Sequence, residues 1–474
     1  MIQWLHEFIW GPGMLALFLL VGVLYTVRLR GFPILGLPVW WKNTIGSLFR
    51  RRDSDSGHSG ISQFQSACTA LAATIGTGNI AGVTTALLAG GPGAVFWMWI
   101  SAFLGMATAY GETELGMKYR RRDRRGNWIS GAMCYLEHGL GCKWLAAGYA
   151  VLCMTASFGM GSMVQANAIS ETFEFAFSMP PFMIGAVLTV AAGKIILGGA
   201  KSIARTAEKM VPVSAGIYII ASVMILGLFR DRLPGVLWMI VSDAFSVESV
   251  SGGIVGFAAN EAVRYGVARG VFSNEAGLGS LAALNGGSDS VGQEIQGQWA
   301  IFEVFLDTVV CCTLTAMVVL CTAGEELGVF GGNGAELTSL CFTRGLGNLG
   351  GYTMSMCTAL FAFATIIAWY YMGKQAVTYL EESAGVDLSK IYLVGYLMCV
   401  FLGSLGSMEA VWEVSDIFNG MMAVPNLAAL ILMVGMVKAP VQLHFKTDSL
   451  TKQNRHADYS ESTHQPRKII KSSK

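Results

Sequence analysis

Charged residues are scarce in this sequence: Asp, Glu, Lys and Arg make up 13% of 474 residues, where a soluble domain carries about 25%. Apolar residues fill the gap, at 53% of the chain with 58 glycines. The long uncharged runs exclude an ordinary soluble domain and describe a polytopic helical membrane protein. The formal net charge is only +1, so no basic excess points to nucleic acid. Histidine is rare too: the six present are scattered, and none forms a ligand pair at helical spacing. The ten cysteines include no Cys-x-x-Cys pair, and most lie in or beside apolar runs (Cys311, Cys312, Cys321, Cys357, Cys399). That is packing, not a zinc site or a disulfide framework. No basic stretch precedes the first apolar run, so residues 8–27 read as a retained span and not a cleaved signal.

Eleven apolar spans are expected, at about 10–28, 63–89, 93–117, 144–171, 182–200, 211–229, 254–284, 297–322, 353–379, 390–407 and 411–437. The seventh is the least regular, because Glu261, Arg264, Arg269 and Glu275 fall inside it. Basic residues concentrate in the odd loops: Arg28, Arg30, Lys42 and Arg50–Arg52; Lys118 and Arg120–Arg125; Lys201, Arg205 and Lys209. The intervening loops carry Glu171, Glu174, Glu325, Glu326 and Glu336. Positive charge marks the cytoplasmic side of short loops, which places the N-terminus outside and the C-terminus in the cytoplasm of a multi-pass protein of the cell membrane. Contact of the basic runs with anionic lipid is the alternative use. The chain divides into an N-terminal span and connector (1–61), a first set of five spans (62–230), a second set (231–437) and a basic tail (438–474) expected to be disordered. Residues 50–60, rich in Ser, Asp and Gly, read as a flexible connector or the lead into the second span.

The second span contains Gly76-Thr77-Gly78-Asn79, a poor helix former, since each glycine costs about 1 kcal/mol relative to alanine. An opened helix frees amides and carbonyls that lipid cannot satisfy, so the irregular backbone must be buried in protein or line a wet cavity. Amide ends suit an anion and carbonyl ends a cation. The stretch therefore reads as a site for a small solute and a metal ion, or as a small-residue face for helix packing. A second Gly-broken segment, 272–277 (Phe-Ser-Asn-Glu-Ala-Gly), opens the second set of five spans. Paired interruptions at corresponding positions of two halves are a transporter signature and favour the binding reading.

Other intramembrane polar groups need partners. Asn274 and Glu275 read as functional groups, as a helix-start cap, or as both. Gln165 and Asn167 lie in a small-residue span, where helix-to-helix hydrogen bonding is the plainer role. Asp307 follows Glu303 at i+4, so the two share a face, with an arginine ion pair or a substrate role open. Thr365 and Trp369, also at i and i+4, place a hydroxyl and an indole on one face of the ninth span.

Ala72-Ala-Thr-Ile-Gly-Thr-Gly-Asn-Ile-Ala-Gly-Val83, followed by Gly90-Gly-Pro-Gly-Ala-Val-Phe-Trp-Met-Trp99, closely resembles the alanine or glycine:cation symporter family. Arg269-Gly-Val-Phe-Ser-Asn-Glu-Ala-Gly-Leu-Gly-Ser280 resembles that family's second signature, and Ser157-Phe-Gly-Met-Gly161 with Met163-Val-Gln-Ala-Asn167 a third. The likeness runs over about 10–437. It departs at Met160 and Ser162 around Gly161, at Gly111 before Glu112, and at Ile366-Ile-Ala-Trp369, differences that bear on pocket volume. The resemblance implies an all-α fold of about eleven transmembrane helices: one extra N-terminal span and a five-plus-five inverted-repeat core with two broken helices. It implies that amides of Gly76, Thr77 and Gly78 hold a substrate carboxylate, that the Phe272 carbonyl takes the ammonium, and that Phe272, Ile366 and Trp369 bound the side-chain pocket. Asn79, Gln165, Ser273 and Asn274 complete the expected substrate set. Carbonyls of Ala72 and Ile75 with the Thr365 hydroxyl would form a sodium site.

The expected activity is sodium-coupled symport of small neutral amino acids, alanine and glycine first, by alternating access, with sodium the coupling ion and no organic cofactor. The expected partners are the amino acid, sodium and the bilayer, with no nucleic acid and no obligate protein. Proton coupling through Asp307 or Glu275 is the alternative ion assignment. A membrane hydrolase would need a mid-span histidine to activate Ser162 or Ser273, and none is present. A non-transporting sensor would bind substrate without moving it, and no soluble sensory domain is evident.

Overall fold

The computed structural model describes residues 8–49, 61–245, 261–289, 292–324, 327, 334–406 and 409–440. The chain enters as α1 (Pro12–Arg28), whose proline sits in the first helical turn, where its missing N–H costs nothing. Three short helices, Phe32–Leu35, Leu37–Asn43 and Ile45–Leu48, follow. The polar lead at 61–62 starts α2 (Gln63–Thr74) with a capping box: Gln65 N donates to Ser62 Oγ, and Ser62 N to Gln65 Oε1, both at 3.1 Å. A 3-10 turn, Thr77–Asn79, separates α2 from α3 (Ala81–Gly90), and the two pieces bend by 57°.

The long α4 (Gly93–Tyr119) leads into a two-residue hairpin, β1 (Arg121–Arg122) against β2 (Trp128–Ile129), and α5 (Ala132–His138). Then come α6 (Lys143–Phe158), a π-helical turn (Gly159–Met163), α7 (Val164–Phe177), α8 (Pro181–Leu197), α9 (Gly199–Leu228) and α10 (Leu233–Ala244). The second broken helix is α11 (Glu261–Asn274) with α12 (Ser280–Asn285). Next, α13 (Gln293–Val304) and α14 (Thr313–Ala323) are joined by a π-helical stretch, Phe305–Cys312. The chain closes with α15 (Gly334–Leu346), α16 (Asn348–Ala384), α17 (Ser389–Gly403) and α18 (Glu409–Met433).

Among the described residues, six helical stretches are long and apolar enough to cross a membrane, and the bent pair α2–α3 makes a seventh; α1, α8 and α17 are shorter apolar helices. The protein is therefore an integral membrane protein by length and composition. The core lies between the broken helices and their neighbours. α11 closes on α4 because Gly266 and Gly270 leave no side chain between them: a Cβ would come within 2.3 Å of the Ala94 carbonyl and 2.2 Å of Ser101 Oγ. α1 is strapped to α18 by Tyr25 Oη donating to the Leu430 carbonyl (3.0 Å) and to the residues beyond α18 by Arg28 donating to the Val437 (2.9 Å) and Gly435 (2.8 Å) carbonyls.

Several sequence expectations change. The expected seventh span is broken after Asn274, within the Gly-broken segment read from sequence, and resumes for only six residues; its residues 254–260 lie outside the described residues. Residues between the expected sixth and seventh spans carry α10, which the span pattern did not anticipate. The basic loop at 118–143 is folded, not merely a topological signal. Arg120 and Arg122 lie 4.0 and 4.1 Å from the Trp128 ring, and Arg121 pairs with Glu382 at 2.8 Å. Arg120 also donates to the Gly286 carbonyl (2.9 Å), and Trp128 Nε1 to Asp289 Oδ1 (2.8 Å), while Asp289 N reaches the Ile61 carbonyl (3.0 Å). The hairpin thus ties the end of α12 to the start of α2. The expected flexible connector 50–60 and the tail beyond 440 lie outside the described residues. All ten cysteines are free thiols, as packing residues should be.

Candidate functional site at two helix breaks

At the first break Ile75 turns extended and Gly76 opens the chain. Asn79 then closes the turn locally, its Oδ1 accepting from Gly76 N at 3.0 Å. Its Nδ2 donates to Asp307 Oδ1 (2.7 Å) and to the Asp307 carbonyl (3.1 Å), and its own carbonyl accepts from Thr315 Oγ1 (2.6 Å). Asn79 is fully buried with its hydrogen-bonding capacity spent inside the protein. These bonds make Asn79 a brace of the turn. The Gly76 N–H is spent likewise. The amides of Thr77 and Gly78 start the 3-10 turn, where first amides have no partner within the turn.

The second break meets the same carboxylate. Ser273 Oγ donates to Asp307 Oδ2 (2.8 Å), and Thr308 Oγ1 to the same oxygen (2.8 Å). Asn274 Nδ2 donates to Thr308 Oγ1 (3.1 Å), and its Oδ1 accepts from Ala276 N (3.0 Å). Asp307 therefore binds both breaks to the π-helical stretch of α13–α14. Its partners among the described residues are amide and hydroxyl groups, not the arginine considered from sequence. Glu303 turns elsewhere and accepts from Asn285 Nδ2 at 2.9 Å, because the π-helical winding begins at Phe305, between the two acids, and breaks the i+4 register. The helix-start cap reading of Asn274 and Glu275 is also corrected. They stand at the C-terminal end of α11, and Glu275 takes a left-handed φ of 56°, which ends the helix.

α16 supplies the third wall. Thr365 Oγ1 lies 2.9 Å from the Ala72 carbonyl and 3.0 Å from the Phe361 carbonyl. With its proton turned to Phe361, the Thr365 oxygen and the Ala72 carbonyl can both face one cation. Trp369 Nε1 donates to the Ala73 carbonyl at 3.3 Å, so the hydroxyl and the indole both reach the carbonyl end of α2. Ile366, fully buried, passes its carbonyl to Tyr396 Oη (2.6 Å). The π turn at Gly159–Met163 brings Gly161 so close to Trp369 that a Cβ would lie 2.4 Å from the indole-bearing Cβ. Gln165 donates to the Met160 carbonyl at 3.2 Å, while its buried Oε1 has no hydrogen-bond partner. A Cβ on Gly76 would meet Thr365 Oγ1 at 2.8 Å and Gln165 Oε1 at 3.5 Å, and one on Gly78 would meet the Phe272 ring at 3.6 Å. Gly76, Gly78, Gln165, Phe272, Thr365 and Trp369 therefore converge on one place, while Asn79, Ser273 and Asn274 hold its frame.

Sequence reasoning missed several residues here. Arg269 lies 5.3 Å over the Phe272 ring and 3.8 Å from Asp416 of α18. Trp10, ahead of α1, donates to the Asp416 carbonyl (3.3 Å) and meets Phe272 edge-on, 6.4 Å between ring centres. Glu112 of α4 accepts from Gly279 N (3.0 Å) and from Asn426 Nδ2, and Asn426 in turn accepts from Tyr135 Oη. Glu112 was findable as a carboxylate in mid-span; its partners were not. On the hairpin side a cavity of about 460 Å³ is lined by Trp128, Tyr370, Tyr371, Lys374 and Glu381. Tyr371 also lines a small cleft with Ser66, Thr69 and Leu284, between the two broken helices.

Residues 1–458 match the model of the sodium:alanine symporter family. The chain is 39% identical over 446 residues to the sodium/alanine symporter AgcS of Methanococcus maripaludis, covering 92% of this chain and 95% of that protein. It is 41% identical over 432 residues to an uncharacterized transporter of Haemophilus influenzae, covering 90% and 92%. It is 35% identical over 433 residues to the probable sodium/glutamine symporter GlnT of Bacillus subtilis, covering 91% and 87%. Among solved structures, MhsT in complex with L-phenylalanine shares the fold, with a TM-score of 0.59 at 14% identity over 80% of this chain and 90% of that one.

Proposed function

The chain belongs to the sodium:alanine symporter family and is a transporter, not an enzyme; from this premise we propose that it imports small neutral amino acids, alanine and glycine first, on a sodium gradient by alternating access. The observation that carries the reading is the pair of breaks braced by one buried carboxylate, with Thr365 and Trp369 on the carbonyl end of α2. The amides of Thr77 and Gly78 take the substrate carboxylate. The carbonyl end of α11 near Phe272 takes the ammonium, and Phe272, Ile366 and Trp369 bound the side chain. Sodium lies between the Ala72 and Ile75 carbonyls and the Thr365 hydroxyl. This site joins α2 to α16, so binding energy is available only where the two helices are close, and sodium biases the population toward that state.

Both broken helices and the shorter apolar helices are taken as spans in this reading, eleven in all, α1 followed by two inverted sets of five; the basic odd loops support an N-terminus outside and a tail in the cytoplasm. The cavity beside the hairpin is then the cytoplasmic vestibule, and Tyr371 stands between it and the cleft lined by Ser66, Thr69 and Leu284.

Uptake of labelled L-alanine into proteoliposomes, with and without an inward sodium gradient, tests the reading; glycine, glutamine and D-alanine serve as competitors. Thr365→Val removes one of three ion ligands at nearly constant volume, and the sodium concentration for half-maximal uptake should rise about tenfold or more, equivalent to about 1.4 kcal/mol. Uptake driven equally well by a proton gradient without sodium would overturn the ion assignment and leave the fold intact.

A further inference from the structure

We propose that Asn419 of α18 is a substrate-specificity residue whose carboxamide hydrogen-bonds the side chains of neutral amino acids that end in a hydroxyl or an amide. The inference rests on the transport reading above and adds α18 to the helices that form the pocket. Asn419 is 1% exposed, yet neither its Nδ2 nor its Oδ1 has a hydrogen-bond partner. Among the described residues it is the one side chain with two buried polar atoms that both lack a hydrogen-bond partner. A carboxamide offers two donors and a two-lone-pair acceptor, and burying it unpaired is unfavourable. A group in that condition is available to a ligand.

Its neighbours along α18 fix where it points, since residues three, four and seven apart share a helix face. Ser415, four residues before, lies against the π turn: a Cβ on Gly159 would come within 2.0 Å of Ser415 Oγ. Asp416, three before, faces Arg269 on the helix entering the second break. Asn426, seven after, holds Glu112, which accepts from Gly279 N on the segment leaving that break. Gly420, the next residue, is turned away toward Ile9 and Trp10. Asn419 therefore stands between the level of Arg269, opposite Asp416, and the level of Gly277, opposite Leu427, on the side of α18 that meets the π turn and the second broken helix. Glu275 Oε2 at that break also lacks a hydrogen-bond partner.

An alanine side chain cannot pair with this amide, whereas a hydroxyl or carboxamide at the end of a substrate side chain can. A hydroxyl or carboxamide that reaches this amide gains a hydrogen bond that an apolar side chain of the same size cannot make. The central site is accordingly expected to favour serine-like and glutamine-like side chains over an apolar side chain of similar size.

The test is competition in sodium-driven proteoliposomes, with unlabelled L-serine and L-glutamine against uptake of labelled L-alanine. Wild type, Asn419→Leu and Asn419→Ser are compared. Each half-inhibiting concentration is divided by that of unlabelled L-alanine in the same preparation, so the ratio does not depend on how much protein is folded. In Asn419→Leu the ratio for both polar competitors should worsen about tenfold. In Asn419→Ser, which keeps a hydroxyl, it should worsen by about threefold. If the leucine variant takes up no alanine, the serine variant carries the comparison by itself. Ratios that stay within about twofold of wild type in the variants that transport, or that improve, overturn the assignment. Absence of sodium-driven alanine uptake in the wild type would instead sink the transport reading, and this inference with it.

Discussion

Asp307→Ala should reduce sodium-driven alanine uptake at least about 100-fold at matched amounts of protein in the membrane, which corresponds to about 2.7 kcal/mol. The carboxylate is fully buried and takes hydrogen bonds from Asn79 Nδ2, Ser273 Oγ and Thr308 Oγ1 at 2.7–2.8 Å. Removing it takes the acceptor from the Thr308 hydroxyl, leaves Ser273 Oγ only the Cys312 sulfur, and leaves Asn79 Nδ2 that sulfur and the backbone carbonyl at position 307; a buried donor left without its acceptor costs about 1–3 kcal/mol. Two of these donors, on Asn79 and Ser273, set the geometry of the two breaks. Asn79 would also lose a constraint on the orientation in which its Oδ1 holds Gly76 N. The effect should appear both as lost uptake and as a lower melting temperature of the purified protein. Uptake within about threefold of wild type would show that the breaks hold their shape without Asp307.

Gly76→Ala is expected to lower uptake by about 30–100-fold and to raise the sodium requirement, through crowding and not through backbone strain. The added methyl would lie 2.8 Å from Thr365 Oγ1, which is itself held by the Ala72 and Phe361 carbonyls. To make room, Thr365 must leave the carbonyl end of α2, which removes the contact proposed to hold sodium. The same methyl would stand 3.5 Å from Gln165 Oε1, on the wall of the proposed site. Gly82→Ala, six residues on, is the control. A Cβ there meets nothing within 4 Å, and uptake should stay within about twofold of wild type. Equal loss in both variants would mean that any alanine in this segment is harmful, and the argument from Thr365 would fail.

Local rules decided much of this protein, and their reach explains what was legible. Length and scarcity of charge are enough for a membrane-spanning class, because hydrocarbon tolerates few alternatives to apolar helices. Gly76-Thr77-Gly78-Asn79 and the segment after Phe272 break their helices for reasons contained in a few residues, and both breaks are present. Thr365 and Trp369 share a face by helical spacing alone, and both face α2. Partners distant in sequence were another matter. That Asp307 joins Asn79, 228 residues away, to Ser273 depends on packing of α13 and α14 against both breaks, and the π-helical stretch that turns it there has no signal in the i+4 spacing. The Arg120–Trp128–Arg122 stack, the Glu112–Asn426 pair and the place of Asn419 likewise exist only after long-range packing. Sequence therefore determined the membrane class and the places where helices open, since those follow from short-range backbone energetics. Tertiary structure alone decided which polar groups brace the openings and which stay free to meet a ligand, since each buried group must find its partner in three dimensions.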